Sequence, residues 1–157
     1  MAHRKERGFT LIELLVVVAI IAIVASIALV NYLSALDRAK QKRTISDIRM
    51  IAQAWEARAA DVNGYVAAGY SFPGTQVSYE SLSAALTPTY TKKMPRYDAW
   101  DHEYEYGVER GQYAIRSAGR DGQFAEDAVP GAQNSPDCDI VFSNGSFICY
   151  PGALQKQ

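Results

Sequence analysis

The sequence predicts an α+β protein in which one long N-terminal helix packs, along its second half, against a small antiparallel β-sheet. An unbroken apolar run from Phe9 to Val30 is followed by a helical pattern without Gly or Pro from Asn31 to about Ala60. Alternating segments separated by turn residues then fill the C-terminal half. The 157 residues suffice for one modest globular domain and one accessory element.

The apolar run is long enough to span a membrane. As a helix rising ~1.5 Å per residue it covers roughly 33 Å, close to the ~30 Å hydrocarbon thickness. It is apolar on all sides, which argues against a buried helix of a soluble protein. Two other interpretations stay open at this point: a plain single-pass anchor, and a secretory signal cleaved near Ser26-Ile27-Ala28.

Charge is distributed unevenly around this run. The first seven residues carry three basic side chains, which favours a cytoplasmic N-terminus. Four more basic residues follow the run: Arg38, Lys40, Lys42 and Arg43. The charge signal for membrane orientation is therefore mixed. The net charge of −1 indicates no general attraction to nucleic acid.

The start of the run combines two uncommon features. The charged leader stops at Gly8 and the apolar residues begin at once with Phe9, while Glu13 places a carboxylate inside the run. A charged side chain near a bilayer centre costs ~2.5–3.5 kcal/mol or more, so such a carboxylate suggests a partner-binding role. Thr10 and Glu13 also have the spacing of a capping box. The two roles are compatible, and both stay open.

The segment Gly8-Phe9-Thr10-Leu11-Ile12-Glu13-Leu14-Leu15 resembles the class III signal of the type IV pilin superfamily, which includes type IV pilins and the pseudopilins of type II secretion. The resemblance implies that a prepilin peptidase cleaves between Gly8 and Phe9 and that the new Phe9 amine is methylated. It also implies that Glu13 meets the Phe9 amine of a neighbouring subunit during assembly. A buried carboxylate is tolerable when it is paired with a cation, and cleavage creates that cation.

On this basis the chain divides into four parts. Residues 1–8 form a cleaved leader, 9–30 the membrane-spanning and assembly half of the helix, 31–63 its amphipathic half, and 64–157 a β-rich head. Members of the superfamily often carry a helix-distorting proline near the outer end of the span. This chain has Ala28-Leu29-Val30-Asn31 there, so the helix is expected to continue straighter.

Beyond the span, apolar residues recur at helical spacing and predict a core-facing stripe. Asn63-Gly64 supplies a stop signal, which gives one helix of ~50 residues. The stripe consists of Ile45, Ile48, Ala52, Trp55 and Ala59.

The head is predicted from turn and alternation signals. Residues 65–74 read as a loop, and Tyr79 to Leu86 as a short helix before Pro88. Residues 102–106 and 112–116 alternate around a turn and predict one hairpin. Asn144-Gly145 predicts a second hairpin over residues 140–148, in which Ile140 pairs with Cys149.

The head carries a second resemblance, to the major pseudopilin of type II secretion. Asp98–Tyr106 is similar to that family's "D-P-W-G-N-P-Y-x-Y" segment, with departures at positions 99, 101, 102 and 103. Ser117–Gly122 and Asp137–Ile140 resemble its "S-x-G-x-D-G" and "D-x-D-I" elements, separated by an extra stretch at residues 128–136. In that family the acidic loop between the two elements binds calcium.

The residues themselves permit a calcium site, because carboxylates gather in a Gly- and Pro-containing loop. The alternative is a solvated acidic loop. The preferred ligands are Asp121, Asp137 and Asp139, with Ser117, Glu126 and Asp127 as further candidates.

Cys138 and Cys149 are the two cysteines, and both lie in the part predicted to be exported. A disulfide between them is favoured there over two separate buried thiols. It requires a bulge or irregular register, because the two positions are diagonal across the predicted hairpin.

No enzyme class is indicated. After loss of the leader His102 is the sole histidine, and the sequence contains no nucleophile elbow, P-loop or dinucleotide fingerprint. The predicted function is a structural subunit of a homo-oligomeric extracytoplasmic filament, most consistent with a major pseudopilin. Such a subunit is single-pass in the inner membrane before assembly, and works with prepilin peptidase and a secretion or pilus assembly machinery. The alternatives are a type IV pilus pilin and, more distantly, a membrane-tethered periplasmic binding module.

Overall fold

The computed structural model describes residues 8–62, 75–109, 112–125 and 130–152. The predicted α+β class is confirmed: a long N-terminal helix is followed by a short helix and a six-stranded sheet. The elements are α1 (Leu11–Val62), β1 (Thr75–Val77), α2 (Tyr79–Leu86), β2 (Glu105–Glu109), β3 (Gln112–Ser117), β4 (Gly131–Gln133), β5 (Ile140–Ser143) and β6 (Ser146–Pro151). The stop signal at residues 63–64 and the loop expected at 65–74 lie outside the described residues.

Helix α1 has 52 residues and continues without interruption through Ala28–Asn31, as the absence of proline predicts. Polar side chains in this stretch donate to carbonyls of the preceding turn. The hydroxyl of Ser34 donates to the carbonyl of Val30 at 3.1 Å, and the amide of Asn31 donates to that of Ile27 at 3.3 Å. These bonds satisfy the side chains inside an apolar segment without breaking the helix.

The chain divides between Leu36 and Asp37 into two compact units. In the first unit the large apolar side chains of Phe9 and of α1 are exposed, from Phe9 at 75% to Leu36 at 41%. Among the described helices, α1 is the one that is long and apolar enough to cross a membrane. This surface therefore needs lipid or other protein to cover it.

The second unit has a core built on the later part of α1. All five residues of the predicted stripe, Ile45 to Ala59, are buried. The ring of Trp55 lies 4.9 Å from that of Tyr113 and 6.5 Å from that of Tyr106, measured between centroids. Both tyrosines are buried residues of the sheet, so the stripe is the face on which the sheet packs.

The strands follow the order β1-β2-β3-β5-β6-β4. All neighbouring pairs are antiparallel except β4 with β6, which is parallel. The two edge strands, β1 and β4, were not predicted. Each has three residues, too few to show an alternation of apolar and polar side chains.

The first hairpin is present, but its first strand was placed three residues too early. The structure pairs β2 with β3 from Glu105↔Arg116 to Glu109↔Gln112. Residues 98–102 instead form a turn, because the carboxylate of Asp98 accepts bonds from the backbone N–H groups of Trp100 and His102. After this turn Glu103 forms only an isolated bridge with Tyr97, and the strand itself begins at Glu105.

The second hairpin is confirmed, with a change of register. Asn144 and Gly145 have φ angles of 53° and 79°, the positive values that a type I′ turn requires, and Ser143 pairs with Ser146. The expected pairing of Ile140 with Cys149 is wrong: a bulge between Val141 and Phe142 pairs Val141 with Cys149 instead.

Candidate functional site

The N-terminal signal forms a reciprocal cap on α1. The Oε2 atom of Glu13 accepts bonds from the backbone N–H of Thr10 at 2.8 Å and from its hydroxyl at 2.7 Å. The hydroxyl oxygen of Thr10 accepts in turn from the N–H of Glu13 at 3.3 Å. The predicted capping box is thus confirmed, and it holds the carboxylate beside the first turn of the helix.

The predicted cleavage junction precedes this cap. Phe9 is exposed, Gly8 has no atom near the position of a side chain, and the helix begins only at Leu11. The bond between Gly8 and Phe9 therefore lies outside the helix and is accessible. Its hydrolysis would free the amine of Phe9 four residues before Glu13.

In the head, Asp98 organises the turn before β2. Its side chain is fully buried, and the hydroxyl of Ser117 donates to its Oδ2 at 2.7 Å. His102 is half-buried, and its Nδ1 lies 2.9 Å from the carbonyl of Gly119 and 4.0 Å from Oδ2 of Asp98. With its two backbone bonds, Asp98 accepts three hydrogen bonds in all and joins this turn to the end of β3.

Arg116 of β3 neutralises two carboxylates. Its guanidinium donates to Oε2 of Glu105 at 2.6 Å, and its Nη1 lies 3.7 Å from Oδ2 of Asp139. Asp139 also accepts from the backbone N–H of Ala125 at 3.1 Å. Burial nevertheless raises the pKa of Asp139, and the carboxylates of Asp121 and Glu105 add to that effect.

Arg120 joins three segments of the second unit. Its guanidinium makes a bidentate contact with Asp137, at 2.7 and 3.1 Å, and its Nη1 lies 3.0 Å from Oδ2 of Asp37 on α1. The hydrogen bonds from Arg120 lower the pKa of Asp137. The loop after β3 and the segment before β5 are thereby tied to the helix.

The predicted calcium ligands are not gathered into a metal centre by the described residues. Asp137 and Asp139 are paired with arginines, Asp121 is exposed and accepts from the N–H of Gln123, and Ser117 donates to Asp98. In the part of the chain that the structure describes, no group of three His, Cys, Asp or Glu side chains is placed to hold an ion. The remaining candidates, Glu126 and Asp127, lie outside the described residues, so calcium binding stays a prediction.

Cys138 and Cys149 are not bonded to each other in this structure. Cys149 is buried on β6, and burial raises the pKa of its thiol, with contributions from nearby Asp139 and Cys138. The Sγ of Cys138 lies 3.9 Å from Oε1 of Gln133. The disulfide also stays a prediction.

The sequence pattern singled out the acidic residues of this region but not the arginines that hold them. Arg116 and Arg120 flank the short Ser117–Gly119 segment, and Asp37 lies some eighty positions earlier on the helix. Two arginines immediately before a loop rich in carboxylates were the available signal. The contact with Asp37 left no local trace in the sequence.

Comparison with known proteins gives consistent matches along the chain. A family model described as the prokaryotic N-terminal methylation motif matches residues 3–29, and one described as type II secretion system protein G matches residues 31–132. Curated relatives include type II secretion system core protein G of Pseudomonas aeruginosa, 32% identical over 78% of this chain and 89% of the relative. That of Aeromonas hydrophila is 31% identical over 87% of this chain and 99% of the relative. No solved structure matches.

Together, the capped apolar helix, its signal junction and the helix-plus-sheet head define a pilin-like protein with an N-terminal methylation motif. It is a single-pass protein of the inner membrane. The match over residues 31–132 specifies the group further: the chain belongs to the type II secretion system protein G family.

Proposed function

We propose that this chain is the major pseudopilin of a type II secretion system, the repeating structural subunit of a periplasmic filament. The observation that carries the proposal is the first unit, from the signal junction to Leu36, whose large apolar side chains are exposed in a single copy. Lipid covers them before assembly, and the equivalent helices of neighbouring copies cover them in the filament. The names of the curated relatives support the same role.

Glu13 supplies the contact that selects correctly processed subunits. Its carboxylate caps its own helix in the uncleaved chain, and both bonds from Thr10 converge on one oxygen, Oε2. After a prepilin peptidase removes residues 1–8, the amine of Phe9 in a neighbouring copy offers a cation for the same carboxylate. Pairing the two offsets the cost of a charge in an apolar surrounding.

The role proposed is structural and not catalytic. Asp98, Ser117 and His102 lie together, but the hydroxyl of Ser117 donates directly to Asp98 and is buried. His102 directs its Nδ1 to the carbonyl of Gly119, so it is not placed to activate that hydroxyl as a base. The group has the geometry of a fixed turn.

The decisive experiment expresses the chain with its secretion machinery and counts filaments by electron microscopy. Glu13→Gln keeps a side chain that can cap the helix but removes the negative charge. Thr10→Ala removes the hydroxyl that binds Glu13 in the cap and keeps the negative charge of Glu13. We expect Glu13→Gln to abolish or strongly reduce filaments and Thr10→Ala to leave most of them, with equal amounts of both variants in the membrane.

Equal numbers of filaments from Glu13→Gln and the wild type would contradict the pairing and leave Glu13 as a helix cap only. An absence of filaments from the wild-type chain in its own machinery would overturn the filament role itself.

A further inference from the structure

We propose that the basic segment of α1 that follows the apolar run binds anionic phospholipid headgroups at the periplasmic face of the inner membrane. The segment comprises Arg38, Lys40 and Lys42. The proposal rests on the membrane anchoring of the chain and does not require the filament. It assigns a binding role to a surface that neither the cap of α1 nor the acidic loop uses.

The position of the segment along α1 places it near the level of the lipid phosphate groups. Large apolar side chains on α1 remain exposed as far as Leu36, and Arg38 is two residues further along. Arg38 lies eight positions after Val30, which corresponds to a rise of ~12 Å along an α-helix. Long basic side chains at such a distance from the hydrocarbon reach the phosphate layer, with their methylene groups on apolar surface.

These three cations are not neutralised by the described part of the chain. The two nearest carboxylates on the helix already have other partners, since Asp37 is bound by Arg120 and Asp47 lies 3.7 Å from Arg43. Arg38, Lys40 and Lys42 form no ion pair with any described residue. Arg38 and Lys42 are exposed and lie one helical turn apart, on the same side of α1.

Part of the acidic charge that a second copy of this chain could offer is already neutralised within that copy. Six carboxylates of the described second unit, five in the head and Asp37 on α1, are held by three arginines of the same copy. Arg96 contacts two of them, and Arg116 and Arg120 contact two each. In a filament of equivalent copies, the basic segments would also be repeated at regular intervals and would repel one another. An anionic lipid surface supplies the missing charge, with roughly a fivefold gain in binding for each cation near it.

The test uses the mature full-length chain reconstituted in phosphatidylcholine bilayers that contain spin-labelled phosphatidylglycerol or spin-labelled phosphatidylcholine. Electron spin resonance measures the association constant of each labelled lipid with the protein. We expect the wild type to prefer phosphatidylglycerol, and Arg38→Gln/Lys42→Gln to lower that preference by roughly fivefold or more. Added salt should lower the wild-type preference towards the variant's value.

The matched control is Lys92→Gln/Lys93→Gln, which removes two exposed cations from the head. We expect this control to keep the wild-type preference, and circular dichroism to show the same helix content in all three proteins. The proposal would be overturned if the preference for phosphatidylglycerol fell equally in both variants. It would also be overturned if the wild type showed no such preference. An unchanged lipid preference in Arg38→Gln/Lys42→Gln together with reduced cross-linking between copies would overturn it too, since the cations would then serve a subunit interface. Loss of filaments in Glu13 variants leaves this measurement unaffected.

Discussion

Arg120 and Asp37 are 83 positions apart in the sequence, yet Nη1 of the arginine lies 3.0 Å from Oδ2 of the aspartate. The same guanidinium binds both oxygens of Asp137. One side chain therefore links α1, the loop after β3 and the segment before β5. This link is electrostatic and partly exposed, so it is sensitive to salt and to acid.

Replacing Arg120 with Ala is expected to lower stability slightly at neutral pH and to make stability less dependent on pH in acid, because the two effects have the same source. The pKa of Asp137 is lowered in the folded chain, so its contribution is present above its unfolded pKa and is lost as pH falls through the folded pKa. In Arg120→Ala the thermal midpoint should fall by at most a few °C near pH 7, because exposed ion pairs contribute little. The midpoint should then drop less steeply than in the wild type below about pH 4.

Thermal unfolding of the mature chain in detergent, followed through the fluorescence of Trp55 and Trp100, measures both effects. Lys92→Ala serves as the control, as an exposed cation without an ion pair among the described residues. Parallel acid profiles for Arg120→Ala and the wild type would show that the link does not stabilise the fold.

Asp98 is expected to be the most sensitive polar position of the head. Asp98→Ala leaves the N–H groups of Trp100 and His102 and the hydroxyl of Ser117 without their acceptor, at a cost of about 3 kcal/mol. Ser117→Ala removes one of these bonds and should cost about 1 kcal/mol. Chemical denaturation of the mature chain separates the two values, and equal costs would show that Asp98 does not organise the turn.

Processing is expected at the junction between Gly8 and Phe9. Intact-mass measurement of protein from the native membrane should show loss of Met1–Gly8 and one added methyl group on Phe9. In Gly8→Leu the leader should remain, because the small residue before the junction is replaced by a bulky one. A mature N-terminus near Leu29 would instead indicate an ordinary secretory signal and would remove the anchor.

We expect Cys138 and Cys149 to be joined by a disulfide in exported protein, with a periplasmic thiol oxidase as the electron acceptor. Their thiols are close enough for Cys138 to contribute to the raised pKa of Cys149. Non-reducing peptide mass spectrometry should find the linked pair in protein kept from reductant. Alkylation of both thiols in that material would contradict the bridge, and Cys138→Ser provides the unlinked reference.

Calcium is expected to stabilise the head through the acidic loop. Among the described residues of that loop, Asp121 is exposed and has no ion-pair partner, and its charge already acts on Asp139. The thermal midpoint of the wild type should be higher in excess calcium than in chelator, and Asp121→Asn should remove that difference. Asp101→Asn, an exposed aspartate outside the loop, should keep it. A wild type that unfolds at the same temperature in both conditions would leave the loop as a solvated surface held by arginines.

Local pattern was sufficient where a residue's neighbours in sequence are also its neighbours in space. The buried stripe from Ile45 to Ala59, the helix Tyr79–Leu86, the turn at Asn144-Gly145 and the cap formed by Thr10 and Glu13 are all of this kind. Helical spacing, turn conformation and capping depend on residues within one or two turns of each other.

The contacts that escaped prediction are non-local or compete with a local pattern. Residues 102–104 alternate as a strand should, but the backbone bonds to Asp98 draw the preceding turn away from the sheet. The bulge that pairs Val141 with Cys149 depends on how β5 and β6 fit against their neighbours. The approach of Arg120 to Asp37 depends on the completed fold, and no spacing rule describes it.

The unbroken course of α1 past Val30 has a mechanical consequence. A helix that melts to extended chain lengthens by about 1.8 Å for each residue, the difference between ~3.3 Å and ~1.5 Å of rise. A subunit in which a segment of a few residues can melt is therefore extensible along the filament axis. In this chain the segment stays helical, and the side chains of Asn31 and Ser34 donate to carbonyls of the preceding turn without breaking it. A filament of such subunits would resist small axial extensions. It would also transmit a compressive force along its axis with little shortening.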